Sequence, residues 1–192
     1  MKLSTEEIKK IFIDSGALLE GHFRLTSGRH SDRYIQCARV LMEPNYTAAL
    51  CGHLAEAFKE DAVDVVVGPA MGGIVISYEM ARQLGVPSLF TERVDGKMTL
   101  RRNFTIEPGQ KVLVVEDVVT TGGSVKEVID IVRENGGKVV GVALLVDRSN
   151  GKVDLGARVE ACLSMDVKSY EAEECPLCKA GLPIIKPGSR AN

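Results

Sequence analysis

The sequence predicts an α/β fold, a parallel sheet with helices over both of its faces. Two observations carry that expectation. Short apolar runs rich in Val, at 63–67, 86–90, 112–115 and 139–146, each give way to a Gly-containing or polar stretch. Between them lie segments of helical length and periodicity, and strands alternating with helices imply a parallel sheet. At 192 residues, with 45% hydrophobic and 26% charged residues, the chain fits one globular domain with room for a small appendage. Aromatic residues are only 5% and Trp is absent, so the core must rest on Val, Ile, Leu and Ala.

Taken in order, Ser4-Thr5-Glu6-Glu7 reads as a capping box, with Ile8, Ile11 and Phe12 on one helical face and Gly16 as the stop. Residues 17–41 mix short apolar pieces with Gly21 and Gly28, which suggests a small irregular or hairpin element. A helix is expected from 45 to about 59, carrying Leu50, Leu54, Ala57 and Phe58. The run 63–67 ends at Gly68-Pro69 and is followed by a helix over 73–84 and a strand over 86–90. Residues 91–109 are polar with little periodicity and read as a long loop. A strand at 112–115, a helix over 124–135 stopped by Gly136-Gly137, a strand at 139–146 and a last one near 159–163 complete the pattern.

Composition excludes several functions. The formal charge is −2 without a basic block, which argues against nucleic acid as the main partner. The first residues are too acidic for a signal peptide. The longest apolar run, 139–146, has eight residues where a membrane span needs about 20. A cytoplasmic protein is expected. Five Cys, at 37, 51, 162, 175 and 178, form no disulfide framework. Cys175-Pro176-Leu177-Cys178 has half of a zinc-knuckle spacing, and a tetrahedral site would need His or another subunit for its remaining ligands. The preferred reading is reduced thiols in a C-terminal turn, with no metal held by the protein.

Ligands of open parallel sheets bind beyond the carboxyl ends of the strands, so the strand-to-helix loops matter most. The most informative is Glu116-Asp117-Val118-Val119-Thr120-Thr121-Gly122-Gly123-Ser124 after the apolar run 112–115. Its Gly residues admit close backbone approach, its hydroxyls add donors, and a helix N-terminus favours an anion. Ser124 and Glu127 have the spacing of a capping box. Two adjacent carboxylates at the end of a buried strand repel each other and lose hydration. They make sense facing cations or sugar hydroxyls beside a phosphate. A second loop, Gly68-Pro69-Ala70-Met71-Gly72-Gly73, reads equally as a structural turn. A third stretch, 91–102, carries Arg93, Lys97, Arg101 and Arg102; it reads as a solvated face or, preferably, as a mobile lid closing on an anionic leaving group.

The segment from Glu116 to Ser124 resembles the phosphoribosyl diphosphate signature of the type I phosphoribosyltransferases. The resemblance implies that family's parallel sheet with a small N-terminal hood, within a single domain over 1–192. The hood would come from about 1–41 and the C-terminal segment. It further implies that Glu116 and Asp117 lie along the ribose hydroxyls, that Thr120 to Ser124 cradle the 5′-phosphate, and that Val118 and Val119 belong to the phosphoribosyl-diphosphate site. Met71 and Gly72 would contact the diphosphate.

Within that family the chain is most similar to the orotate phosphoribosyltransferases. Phe23-Arg24-Leu25-Thr26-Ser27-Gly28-Arg29-His30-Ser31-Asp32-Arg33-Tyr34 matches their hood segment, and the likeness runs through the lid Lys-Met-Thr-Leu-Arg-Arg and Cys175-Pro176-Leu177-Cys178. The resemblance assigns Thr120 and Arg148 to the base, and Tyr34 is suited to pack on its ring. An Arg also suits orotate independently, because that base is a carboxylate. Arg93 and Lys97 keep the spacing of loop cations that reach a neighbouring subunit's site, implying a homodimer with shared active sites. Mg²⁺, held mainly by the substrate, is the implied cofactor.

Three positions depart from the common pattern. Thr26 stands for a hood Lys, Gly72 for a donor-loop Lys, and Thr99 with Arg101 and Arg102 for a lid His. The expected reaction is phosphoribosyl transfer from 5-phosphoribosyl 1-diphosphate to orotate. Glu116 and Asp117 would stabilise a positive ribose, and Lys97 and Arg93 the departing diphosphate. The alternatives are transfer to a purine, xanthine or uracil, a regulator that senses phosphoribosyl diphosphate, and a zinc-linked interaction module at Cys175 and Cys178.

Overall fold

Ser4 accepts a hydrogen bond from the Glu7 N–H while the Glu7 carboxylate accepts from the Ser4 N–H, so the expected capping box opens helix α1 (Thr5–Asp14). The computed structural model describes residues 2–25, 27–166 and 168–187. After α1 come the antiparallel strands β1 (Leu18–Arg24) and β2 (His30–Ile35), the short helix α2 (Ala38–Leu41) and helix α3 (Pro44–Phe58). The alternating part follows as β3 (Val65–Pro69), α4 (Gly72–Leu84), β4 (Ser88–Val94), β5 (Lys97–Leu100), β6 (Lys111–Val119), α5 (Gly123–Glu134), β7 (Lys138–Asp147) and β8 (Val159–Ser164). The chain then forms β9 (Ser169–Tyr170), a 3₁₀ turn (Ala172–Glu174) and helix α6 (Pro176–Lys179).

Six strands form the main sheet in the order β5-β4-β3-β6-β7-β8, parallel except for β5. Successive residues of β3 alternate between its faces. Val66 packs with Leu113, Val115, Leu145 and the buried sides of α1, α3 and α4, among them Phe12, Leu54, Phe58, Ile76 and Met80. Val65 and Val67 pack on the other side with Val112, Val114, Leu144 and the α5 residues Val125, Val128, Ile129 and Val132. Both faces being covered explains why these strands are continuously apolar. Three strands, β1-β2-β9, make a separate small sheet. Residues 17–41 are therefore largely a hairpin. Helix α1, with Ile8 and Phe12, belongs to the main core.

Three local expectations are corrected. The polar stretch after 90 is not a loop throughout: β4 continues to Val94 and β5 returns antiparallel from Lys97. Asp95 and Gly96 both have positive φ, 51° and 81°, and form a two-residue turn whose twist suits a hairpin. Strand β6 does not stop before the acidic pair but pairs with β7 as far as Val119, opposite Asp147. Ser124 does not cap α5: the N-cap is Gly122, with φ 78° and no side-chain cap. Val153 and Leu155 occupy the space a Cβ at 122 would need, so both the backbone angle and the packing require glycine there.

The sheet order positions the site. From β3 the chain moves outward to β4, whereas from β6 it moves the opposite way to β7. The loops after β3 and β6 therefore diverge at a topological switch point, the usual crevice for a ligand.

Candidate active site

Loop 120–122 leads from β6 into α5 at this crevice. An open cleft of about 320 Å³ lies there, lined by Glu116, Thr120, Thr121, Gly123, Ser124 and Arg93 among others. The first N–H groups of α5 have no acceptor within the helix, and the helix dipole adds partial positive charge at the same end. Thr120 to Ser124, expected from the sequence to cradle a phosphate, line this one cleft together.

Glu116 is buried at 9% exposure, and Asp117 is half-buried. The Asp117 N–H donates to Glu116 Oε1 at 2.9 Å, and the Val118 N–H donates to Asp117 Oδ1 at 2.7 Å. These bonds hold both carboxyls near the end of β6, with Glu116 lining the cleft. Burial, followed by the neighbouring Asp117 charge, pushes Glu116 up to about 8. Burial also raises Asp117, against the pull of hydrogen bonds that favour its ionised form. Burial and mutual repulsion thus favour a shared proton on the free pair, and a cationic partner would oppose it. From the β3 side, Gly72 comes so near Asp117 that a Cβ at residue 72 would overlap the carboxylate. The two loops meet at this point.

Arg148 follows β7, and its N–H donates to the Val119 carbonyl at 2.8 Å, which starts its side chain beside the phosphate loop. Its Nε is buried and has no hydrogen-bond partner among the described residues. Burial lowers its pKa, partly offset by Tyr34 and Cys37 nearby. Tyr34 itself packs on Phe23, ring centroids 5.9 Å apart. A partly desolvated guanidinium nitrogen of this kind is a favourable place for an anionic group.

Sequence reasoning missed Asp147, which is 6% exposed. Its Oδ1 accepts from the Ser149 N–H at 2.8 Å and the Ser149 hydroxyl at 2.7 Å, and its Oδ2 accepts from the Gly151 N–H at 2.8 Å. Asp147 ties down the turn that carries Arg148. Asp followed two and four residues later by Ser149 and Gly151 was the available signal, an Asx-type turn.

The phosphoribosyl transferase domain family matches residues 43–174, which include the loops after β3 and β6 and the β4–β5 hairpin. Orotate phosphoribosyltransferase of Desulforamulus reducens is 62% identical over 188 residues, 98% of each chain. That of Pelotomaculum thermopropionicum is also 62% identical, over 98% of this chain and 99% of its own. The chain belongs to the orotate phosphoribosyltransferase family. A solved orotate phosphoribosyltransferase from Aeropyrum pernix superposes with a TM-score of 0.70 at 28% identity, covering 82% of this chain and 93% of its own. An adenine phosphoribosyltransferase from Rhodothermus marinus reaches 0.68 at 20% identity, which shows the shared fold alone.

For an orotate phosphoribosyltransferase, the cations on the β4–β5 hairpin are unevenly placed. Arg93 lines the cleft, donating to the Gly96 carbonyl at 2.6 Å and to Glu127 Oε1 at 2.9 Å. Glu127, expected as half of a capping box, holds Arg93 instead. Arg102 pairs with Glu92 at 3.1 Å, and Arg101 lies 3.9 Å from the same carboxylate. Lys97 is exposed and opens onto a separate depression beside Glu127, Asp130 and Glu134 of α5. Within one chain it does not reach the phosphate loop's cleft. Thr99 donates to the Lys97 carbonyl at 3.2 Å. Met71, the N-cap of α4, is 83% exposed at the crevice. Thr26, the hood departure, lies outside the described residues.

Proposed function

We propose that this crevice transfers the phosphoribosyl group of 5-phosphoribosyl 1-diphosphate to orotate, releasing diphosphate and giving orotidine 5′-monophosphate. The observation that carries the choice of base is Arg148: a buried guanidinium nitrogen without a partner, near Tyr34 and one strand from the phosphate loop. Orotate offers a ring for Tyr34 and a carboxylate for Arg148, and such charge-assisted pairs are the strong ones. Full-length similarity to orotate phosphoribosyltransferases supports the same reading.

In this reading, the α5 N-terminus with Thr120, Thr121 and Ser124 holds the 5′-phosphate, while Glu116 and Asp117 accept from the ribose hydroxyls. Met71 and Gly72 offer backbone contact to the diphosphate. As the C1′–oxygen bond breaks, its electron pair leaves with diphosphate and the ribose becomes positive. The two carboxylates face that charge in a partly dehydrated floor, where fixed charges are worth most. A ring nitrogen of orotate then donates its pair to C1′, and its N–H proton passes to the departing diphosphate or to water. The oxygen-rich floor suits Mg²⁺, a hard cation that takes few protein ligands. Held mainly by substrate oxygens near Glu116 and Asp117, it would supply charge neutralisation for the diphosphate. Arg93 serves the leaving group from its own chain, and Lys97 reaches a neighbouring subunit's site in a homodimer.

The proposed arrangement is one domain over 1–192 with a hood at its two ends. No helix among the described residues is long and apolar enough to cross a membrane, and a cytoplasmic location fits the substrates. The test is direct. Purified protein, phosphoribosyl diphosphate, Mg²⁺ and orotate should give orotidine monophosphate, followed by absorbance. Equal turnover of uracil, xanthine or a purine would reject the base assignment.

A further inference from the structure

The sequence left Cys175 and Cys178 without further ligands. The fold brings His22 of β1 and His30 of β2 to them, although residues 22 and 175 are 153 positions apart. Among the described residues this is the one group of three or more His, Cys, Asp or Glu whose ligating atoms are so arranged, all within 4.8 Å of one another. His22 Nε2 lies 3.1 Å from His30 Nδ1, 3.6 Å from Cys175 Sγ and 3.7 Å from Cys178 Sγ. His30 Nδ1 lies 3.3 Å from Cys178 Sγ. Zinc bonds to nitrogen and sulfur of about 2.0–2.3 Å give a tetrahedron with edges of about 3.3–3.8 Å. The separations of 3.3, 3.6 and 3.7 Å fall on those edges, and the nitrogen–nitrogen separation of 3.1 Å is slightly shorter. All four atoms stay within 4.8 Å, so small side-chain adjustments close the tetrahedron.

We infer that these four side chains form a structural zinc site, separate from the phosphoribosyl crevice. Leu182 O lies 2.9 Å from His22 Nδ1, so that nitrogen carries the ring proton and donates it to the carbonyl. Nε2 is left with its lone pair aimed at the other three groups, which is how an outer partner orients a metal-bound imidazole. A plain hydrogen bond from His30 would satisfy that lone pair, yet it gives the two converging sulfurs no role. Two thiolates and two neutral imidazoles around Zn²⁺ make a neutral unit, suited to a place where His22, His30 and Cys175 are buried. Two nitrogen and two sulfur donors in a tetrahedron select zinc over oxygen-preferring cations. Four protein ligands leave no open position, so the site holds structure and performs no chemistry.

The site has a structural purpose. At the small sheet the β1–β2 hairpin meets the C-terminal segment. Ile185 exchanges backbone hydrogen bonds with β1, accepting from Arg24 and donating to His22. Arg29 holds Ser169 at 2.8 Å. A metal cross-link between residues so far apart in sequence removes much loop entropy from the unfolded chain. It fixes the hairpin that carries Tyr34.

Full-length protein purified without chelator should contain about one zinc per chain by mass spectrometry. Replacing it with Co²⁺ should give thiolate charge-transfer and intense tetrahedral bands. The Cys178→Ser variant should lose the zinc and the charge-transfer intensity from its sulfur. Should that variant fail to fold, the wild type decides. Mercurial modification of its thiols should release the metal to a chromophoric chelator, in step with the two sulfurs. Reduced wild type that takes up no stoichiometric zinc, a six-coordinate cobalt spectrum, or full zinc content in folded Cys178→Ser would each overturn the assignment.

Discussion

Gly72 and Asp117 meet across the switch point, with no room for a Cβ between them. A side chain at 72 must therefore displace a carboxylate at the crevice floor. Gly72→Ala should lower kcat by on the order of 10- to 10²-fold, because small misplacements of a reacting group cost that much. Gly72→Lys, which places there the Lys of the resembled pattern, should lose activity here too. Kinetics beside circular dichroism check it. Wild-type kcat in a folded variant would show that Asp117 moves aside without cost.

Arg148 is expected to govern the base and leave the donor untouched. Arg148→Ala should reduce kcat/KM for orotate by about 1.5–3 kcal/mol, the range for a hydrogen bond to a charged group. KM for phosphoribosyl diphosphate should change little. Arg148→Lys should recover only part, since an ammonium lacks the planar fork. Equal losses with both substrates would place Arg148 in the general packing of the crevice instead.

The Glu116 proton makes both stability and binding depend on pH. Its folded pKa of about 8 lies above the ordinary value of 4.5, so its stabilising share is complete below about 4.5. That share is lost as pH rises through 8, by at most about 1.4 kcal/mol per pH unit for a single proton. In urea titrations, stability of the wild type relative to Glu116→Gln should fall between pH 5 and 8. Binding of the Mg²⁺-loaded donor favours the anionic pair, so it should release protons near pH 7. Calorimetry in buffers of different ionisation enthalpy measures this; zero proton release would mean that the acids enter binding already ionised.

Much of this was readable from residue order because it is local. Val112 to Val115 announce a buried strand, and the Thr/Gly loop followed by helical spacing announces an anion site. What escaped depends on pairing at a distance. Asp95-Gly96 is a turn signal, but only the strand pairing of Thr91 with Leu100 and Val94 with Lys97 turns the polar stretch into a hairpin. Ser124 has the capping spacing, yet the helix opens at Gly122, where Val153 and Leu155 leave no room for a side chain. His22 and His30 look like ordinary strand residues until the chain's other end brings two sulfurs beside them.

Lys97 lies away from the phosphate loop of its own chain, which makes its role a question of assembly. Lys97→Ala should slow turnover, and Asp117→Asn should lower kcat by on the order of 10²-fold or more. Mixed dimers of the two variants would hold one site with both wild-type groups if lids cross over. Activity should then exceed that of either parent. Verified heterodimers without any recovery would confine Lys97 to its own subunit.

Asp147 separates positioning from contact. It touches no proposed substrate atom, yet three hydrogen bonds of 2.7–2.8 Å hold the turn that presents Arg148. Asp147→Ala leaves those donors without their acceptor in a half-buried turn, at a cost of about 1–3 kcal/mol in urea unfolding. With the turn loosened, Arg148 no longer waits in place for a carboxylate, so KM for orotate should rise more than kcat falls. Asp147→Asn keeps the two acceptor contacts of one oxygen and should recover part of both losses. A drop in stability with unchanged orotate KM would show that the strand end alone positions Arg148.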